Sequence, residues 1–131
     1  MSEESVGRDM QLECRVLLVE DSPVISIEIE EVLQNAGCEE ITAVGTLHGA
    51  FSAFEKKTFD AAILDINLGD DLVFSFARKL RASGVPFLFL TAYHPETILP
   101  EEFAGTIYLN KPVPDELLLG ELEALLRGEN S

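Results

Sequence analysis

The sequence predicts an α/β domain, a doubly wound five-stranded parallel sheet with flanking helices. Two observations carry this. Short apolar runs rich in β-branched and aromatic residues alternate with stretches of helical apolar period, and the runs are continuous rather than alternating with polar residues. Strands that are apolar on both sides need cover on both faces. Strand–helix alternation supplies that cover through right-handed crossovers between parallel strands. At 131 residues and 47% hydrophobic composition, the chain can bury one such core and not two.

Residues 1–13 are polar and unpatterned and are expected to form a flexible N-terminal tail, with the domain proper over 14–128. Val16-Leu17-Leu18-Val19 is the first strand. Ser22 and Pro23 supply an N-cap and a first helical position, and Ile25, Ile29, Val32, Leu33 and Ala36 follow at helical spacing until Gly37. Ile41 to Val44 is the second strand. Thr46 then caps a helix with Leu47, Ala50, Phe51 and Phe54 on one face, and Lys56-Lys57 complement its C-terminal dipole. Ala61 to Leu64 is the third strand, and its helix turns Val73, Phe76, Ala77 and Leu80 inward before Gly84.

Pro86 introduces the fourth strand, Phe87 to Leu90. Between Thr91 and Gly105, Pro95 and Pro100 interrupt any apolar period, so the fourth helix is expected to be short or weak. Thr106 to Leu109 is the fifth strand. Pro114 opens a last helix with Asp115 and Glu116 in its first turn and Leu118, Leu122, Leu125 and Leu126 on one face, ended by Gly128. Only four residues follow Arg127, so no output domain is expected.

Composition removes several function classes. The apolar runs are too short to span a bilayer, and Met1-Ser2-Glu3-Glu4 lacks the basic start of a signal peptide, so a cytoplasmic protein without membrane contact is expected. Cys14 and Cys38 have neither metal-ligand nor CxxC spacing and read as free thiols in a reducing compartment. Twenty-four acids against nine bases give a net charge of −15, which repels a phosphate backbone and argues against direct nucleic-acid binding.

In an open parallel sheet, functional groups collect just beyond the C-terminal ends of the strands. Those ends carry Glu20-Asp21 after the first strand, Asp65 after the third, Thr91 after the fourth and Lys111 after the fifth. Singly, each has a plainer reading. Glu20 and Asp21 suit the start of the next helix through its dipole, Asp65 is a loop acid, Thr91 a strand-end hydroxyl and Lys111 a surface base. Together they form one site, because chance would otherwise have to bring all of them to one sheet edge. Lys111 sharpens this, being the only Lys or Arg between Arg81 and Arg127.

The chemistry follows from the residue types. Three clustered carboxylates need a cation, and an all-oxygen ligand set selects Mg²⁺. Asp65 is already an anion and needs no base to attack phosphorus. The transferred group needs its equatorial oxygens neutralised, by metal on one side and by Lys111 and Thr91 on the other.

VLLVEDSP (16–23), ILDINL (63–68), FLTAY (89–93) and YLNKP (108–112) resemble, in the same order, the four signature stretches of response-regulator receiver domains. The resemblance covers roughly residues 14 to 127. It implies a CheY-like, flavodoxin-like fold with strand order 2-1-3-4-5, and Asp65 as phosphoacceptor. It also implies Mg²⁺ held by Asp21, Asp65 and the Asn67 backbone carbonyl, with Glu20 acting through water. Thr91 and Lys111 would contact the phosphoryl group, Tyr108 would be the switch aromatic that moves with Thr91, and the Lys111–Pro112 bond would be cis. Partners would be a histidine kinase or phosphotransfer protein and a downstream protein target, with the chain a monomer or weak dimer.

There are departures as well. Gly69, Asp70 and Asp71 stand where most receivers carry a Pro and then a Gly. PFLFLTAY (86–93) is similar to the first eight positions of the PFxFATGxY motif of a mostly stand-alone subgroup, with Leu90 and Ala92 at two changed positions. Tyr93 borders the phosphoryl site in this family and is expected to slow autodephosphorylation, against the plain reading of a partly exposed aromatic. His94 and His48 read as surface residues.

The reading is therefore a stand-alone phosphorelay protein, acting as adaptor or phosphate sink, whose phosphorylation and dephosphorylation are self-catalysed rather than those of an enzyme. A haloacid-dehalogenase-type phosphohydrolase shares the Asp, Thr, Lys and Mg²⁺. It wants its nucleophile first and its acid pair late, the reverse of the order here. A docking domain that no longer phosphorylates is the third reading. The intact acids, Thr91 and Lys111 oppose it, since a scaffold has no need to keep charges together in a buried site.

Overall fold

The computed structural model describes residues 14–92 and 99–128. Five parallel strands form the main sheet: β1 (Arg15–Val19), β2 (Glu40–Val44), β3 (Ala61–Asp65), β6 (Phe87–Thr91) and β7 (Tyr108–Asn110), in the order β2-β1-β3-β6-β7. Counting only these strands, this is the expected order 2-1-3-4-5. Four α-helices lie among the described residues: α1 (Pro23–Asn35), α2 (Leu47–Lys56), α3 (Phe74–Ala82) and α4 (Asp115–Leu126).

The continuous apolar strands serve two cores. Val16, Leu18, Ile63, Leu88 and Leu90 face one layer with Leu33 of α1 and Leu122 of α4. Leu17, Val19, Leu64, Phe87 and Phe89 face the other with Ala50 of α2 and Phe76 of α3. Alternate residues of each strand thus enter opposite cores, and polar alternation would have left one layer without a floor.

The expected caps form. The Ser22 hydroxyl accepts from the Ile25 N–H at 3.4 Å, and Thr46 from the Gly49 N–H at 2.9 Å. Gly37 sits at φ 102°, a backbone region that a side chain would strain, and ends the run of α1.

Three features differ from expectation. The last strand begins at Tyr108 and not Thr106, because the Thr106 N–H is drawn into a turn bonded to the Phe103 carbonyl at 2.9 Å. A small antiparallel hairpin, β4 (Asn67–Leu68) with β5 (Asp71–Leu72), follows the third strand of the main sheet. The unpatterned stretch after Thr91 carries a 3₁₀ turn at Glu101–Phe103 whose Phe103 is fully buried. Of the stretch between Thr91 and Gly105, where a short or weak helix is expected, residues 93–98 lie outside the described residues, as does the tail over 1–13.

Cys14, just before β1, and Cys38, in the loop before β2, are free and buried with their sulfurs 2.9 Å apart. Burial first, and the Cys14 thiol beside it second, push the Cys38 thiol up to about 12, so it stays protonated at neutral pH.

Candidate functional site

β1, β3, β6 and β7 all run the same way, so the residues at their C-terminal ends meet at one edge of the sheet. Glu20 follows β1 and is held there by its N–H donating to the Val44 carbonyl of β2 at 3.0 Å. Its side chain turns inward, 2% exposed, and Oε2 accepts from the Ser22 N–H at 3.1 Å. Ser22 therefore both caps α1 and orients a site carboxylate. Asp21 stays exposed at the rim, where its Oδ2 accepts from the Gly69 N–H at 3.1 Å.

Asp65 ends β3 and is 3% exposed. Its Oδ1 accepts from the Asn67 N–H at 3.3 Å. The Lys111 ammonium lies 3.2 Å from Asp65 Oδ2 and 2.9 Å from Glu20 Oε1, bridging two buried carboxylates. Lys111 is placed by its own N–H donating to the Thr91 carbonyl at 2.9 Å, and the Lys111–Pro112 bond is cis. Thr91, fully buried, ends β6 beside Asn110 of β7.

The electrostatics are those of a crowded acid site. Burial first, and the Glu20 charge second, push the Asp65 carboxyl up to about 7 against the opposing pull of Lys111. Burial works against the Lys111 charge too. The Glu20 hydrogen bond and the Asp65 and Glu20 charges outweigh it and hold the ammonium above the usual lysine range.

One carboxylate oxygen from each of Glu20, Asp21 and Asp65 lies within 4.8 Å of the others. Three acids with a single ammonium among them leave an excess of negative charge, and the donors are all oxygen. That set fits Mg²⁺ and not a thiolate- or imidazole-seeking metal.

The geometry thus brings together Glu20, Asp21, Asp65 and Lys111, with Thr91 at the end of the neighbouring strand. Asn67 begins β4 directly beyond Asp65. Tyr108 stands apart at the start of β7, 37% exposed. His48 is exposed on α2. Tyr93 and His94 lie outside the described residues. Two contacts escaped sequence reasoning, the N–H groups of Ser22 and Gly69 on the acid pair. Leu68-Gly69-Asp70-Asp71, a Gly-led two-residue turn, was the available signal for the second.

A five-stranded parallel sheet of this order, with acids and a lysine at its C-terminal edge, defines a CheY-like α/β protein. The family model described as response regulator receiver domain matches residues 16–123, and the chain belongs to that family. It is 32% identical over 124 residues to the transcriptional regulatory protein RprY of Bacteroides fragilis, covering 91% of this chain and 52% of RprY. With protein PilH of Pseudomonas aeruginosa it shares 28% identity over 120 residues, 87% of this chain and 98% of PilH. The solution structure of SdrG from Sphingomonas melonis Fr1 superposes with a TM-score of 0.75 at 32% identity, covering 87% of this chain and 97% of SdrG. The chain spans about half the length of RprY and of the mycobacterial relative TcrX, and nearly all of PilH. Among the described residues, no helix is long and apolar enough to cross a membrane.

Proposed function

We propose that the chain accepts a phosphoryl group on Asp65 from a histidine kinase or phosphotransfer protein in a Mg²⁺-dependent, self-catalysed reaction. It then acts in the cytoplasm as an adaptor or phosphate sink. The observation that carries this is Lys111 bridging Glu20 and Asp65 at 2.9 and 3.2 Å, inside an acid cluster at the sheet edge. Such an ammonium favours the anionic form of Asp65, the one that attacks phosphorus, against burial and the Glu20 charge, and is placed to pair with an incoming phosphoryl oxygen.

In the reaction, an Asp65 oxygen forms a bond to phosphorus as the bond to the donor nitrogen breaks, and the donor histidine leaves with the electron pair. Lys111 and the Thr91 hydroxyl take the equatorial oxygens. Asp21, Asp65 and the Asn67 carbonyl would hold Mg²⁺, with Glu20 acting through water; when bound, the ion neutralises charge on the phosphoryl oxygens. Movement of Thr91 toward the phosphoryl group, followed by Tyr108, would be the switch. Val24 and Ile27, 65% and 56% exposed on the first turns of α1 beside the acids, offer apolar surface for the phosphodonor protein.

The test is intact-mass detection of phosphate uptake from acetyl phosphate, with and without Mg²⁺, in wild type and Asp65→Asn. Metal-dependent uptake abolished in the variant is the expected result. No uptake from acetyl phosphate or from candidate kinases would replace this reading with a docking domain that does not phosphorylate.

A further inference from the structure

The hairpin that follows Asp65 interrupts the ordinary passage from strand to helix, and its turn reaches the acid site. Asn67 pairs with Leu72 and Leu68 with Asp71, leaving Gly69 and Asp70 as a two-residue turn. Gly69 has φ +63°. A positive φ at the first central position is what a tight hairpin of this handedness asks for, and glycine meets it without steric cost. A Cβ on Gly69 would meet nothing within 4 Å, so no neighbour requires a glycine there. The requirement comes from the backbone conformation alone.

That conformation aims the Gly69 N–H at Asp21 Oδ2, 3.1 Å away and 48 residues distant in sequence. The base of the same hairpin is tied to Asp65, whose Oδ1 accepts from the Asn67 N–H at 3.3 Å, and it is closed by the Val73 N–H on the Ile66 carbonyl at 3.0 Å. Asp21 is the exposed member of the acid cluster, and an exposed carboxylate is free to rotate unless something holds it. Gly69 holds one of its oxygens and leaves the other for a ligand.

We propose that Gly69 is a positioning residue of the metal centre: its left-handed turn fixes the Asp21 carboxylate through the Gly69 N–H, so that cation affinity depends on this turn. The proposal rests on reading the site as a Mg²⁺-dependent phosphoacceptor. A hydrogen-bond donor outside the ligand set orients the ligand and removes the entropy it would otherwise lose on binding. Loss of such a partner ordinarily weakens metal binding about 10- to 100-fold.

The experiment is calorimetric titration of the full chain with MgCl₂, alongside metal-free thermal unfolding followed by circular dichroism. Gly69→Val, whose branched side chain opposes the positive φ, is expected to weaken Mg²⁺ binding about tenfold or more. Gly69→Ala opposes it less, is the safer variant for folding, and is expected to weaken binding by a smaller factor. Gly69→Asn tolerates the left-handed region and keeps the N–H, and is expected to restore nearly wild-type affinity. A turn that merely stabilised the fold would lower the metal-free Tm and leave the affinity of the folded protein untouched. Folded Val and Ala variants binding Mg²⁺ as tightly as wild type would overturn the proposal while sparing the site. Asn weakening binding as much as Val would overturn it too. A wild-type chain that binds no Mg²⁺ would overturn the proposal and the function it rests on together.

Discussion

Asp65 is a carboxyl that the fold keeps out of water, beside another acid, with one ammonium in reach. Its value of about 7 in the folded protein lies above that of an unfolded aspartate, about 3.9. Between those two values the native state keeps a proton that the unfolded state has released. In the absence of metal, this group therefore makes stability fall as pH rises from about 4 to about 7, after which its contribution is constant. Asp65→Asn removes the titration. Metal-free, the variant is expected to match wild type near pH 4 and to exceed it at pH 8 by up to about 4 kcal/mol. Urea unfolding across that range, with Mg²⁺ chelated, checks the sign. Parallel curves for the two proteins would mean that Lys111 already compensates the charge in full. The penalty is the one expected of a carboxylate held in a buried site beside a second acid.

Among the elements, the main strands and the four described helices were legible because each carries a long enough period. Val16 to Val19 and Phe87 to Leu90 are continuous apolar runs, and Leu118, Leu122 and Leu125 mark one helical face. The placement of the candidate site residues was legible for the same reason: once the strands are placed, Glu20, Asp65, Thr91 and Lys111 fall at their ends. What stayed hidden has no period. The β4–β5 hairpin rests on two residue pairs and one glycine conformation. The Cys14–Cys38 contact joins positions that only the register of the first two strands brings together. Phe103 is a lone aromatic in a stretch without pattern. It nevertheless stacks on Phe74 at 5.7 Å, meets Phe89 edge-on at 5.4 Å and lies under the Arg81 guanidinium at 4.6 Å. Those contacts dock the chain leading to β7, and hence Lys111, onto α3 and β6. Phe103→Ala is expected to cost about 3–5 kcal/mol, as a large side chain lost from a dry core does. Chemical denaturation measures it, and a loss below about 1 kcal/mol would mean that this turn is not anchored by its phenylalanine.

For the whole molecule, charge sets a background that the site must be separated from. Twenty-four acids against nine bases leave a net charge of −15 that repels itself, so the metal-free protein is expected to gain Tm with added NaCl as the Debye length shortens. Mg²⁺ screens as well, and a polyanion attracts it without any site. The acid cluster adds a second term, since an ion bound only to the folded state stabilises it by about 2.7 kcal/mol at a hundredfold excess over Kd. The two terms separate when NaCl and MgCl₂ are compared at matched ionic strength in wild type and in the double variant Asp21→Asn, Asp65→Asn. Both proteins are expected to respond to NaCl, and only wild type is expected to gain several degrees more from Mg²⁺. The double variant loses two of the three carboxylates that lie within 4.8 Å of one another, but only two of the 24 acids. Its general screening is thereby nearly unchanged while its ligand set is broken. An equal Mg²⁺ increment in both proteins would place the ion's effect on the surface at large and leave the cluster without a metal.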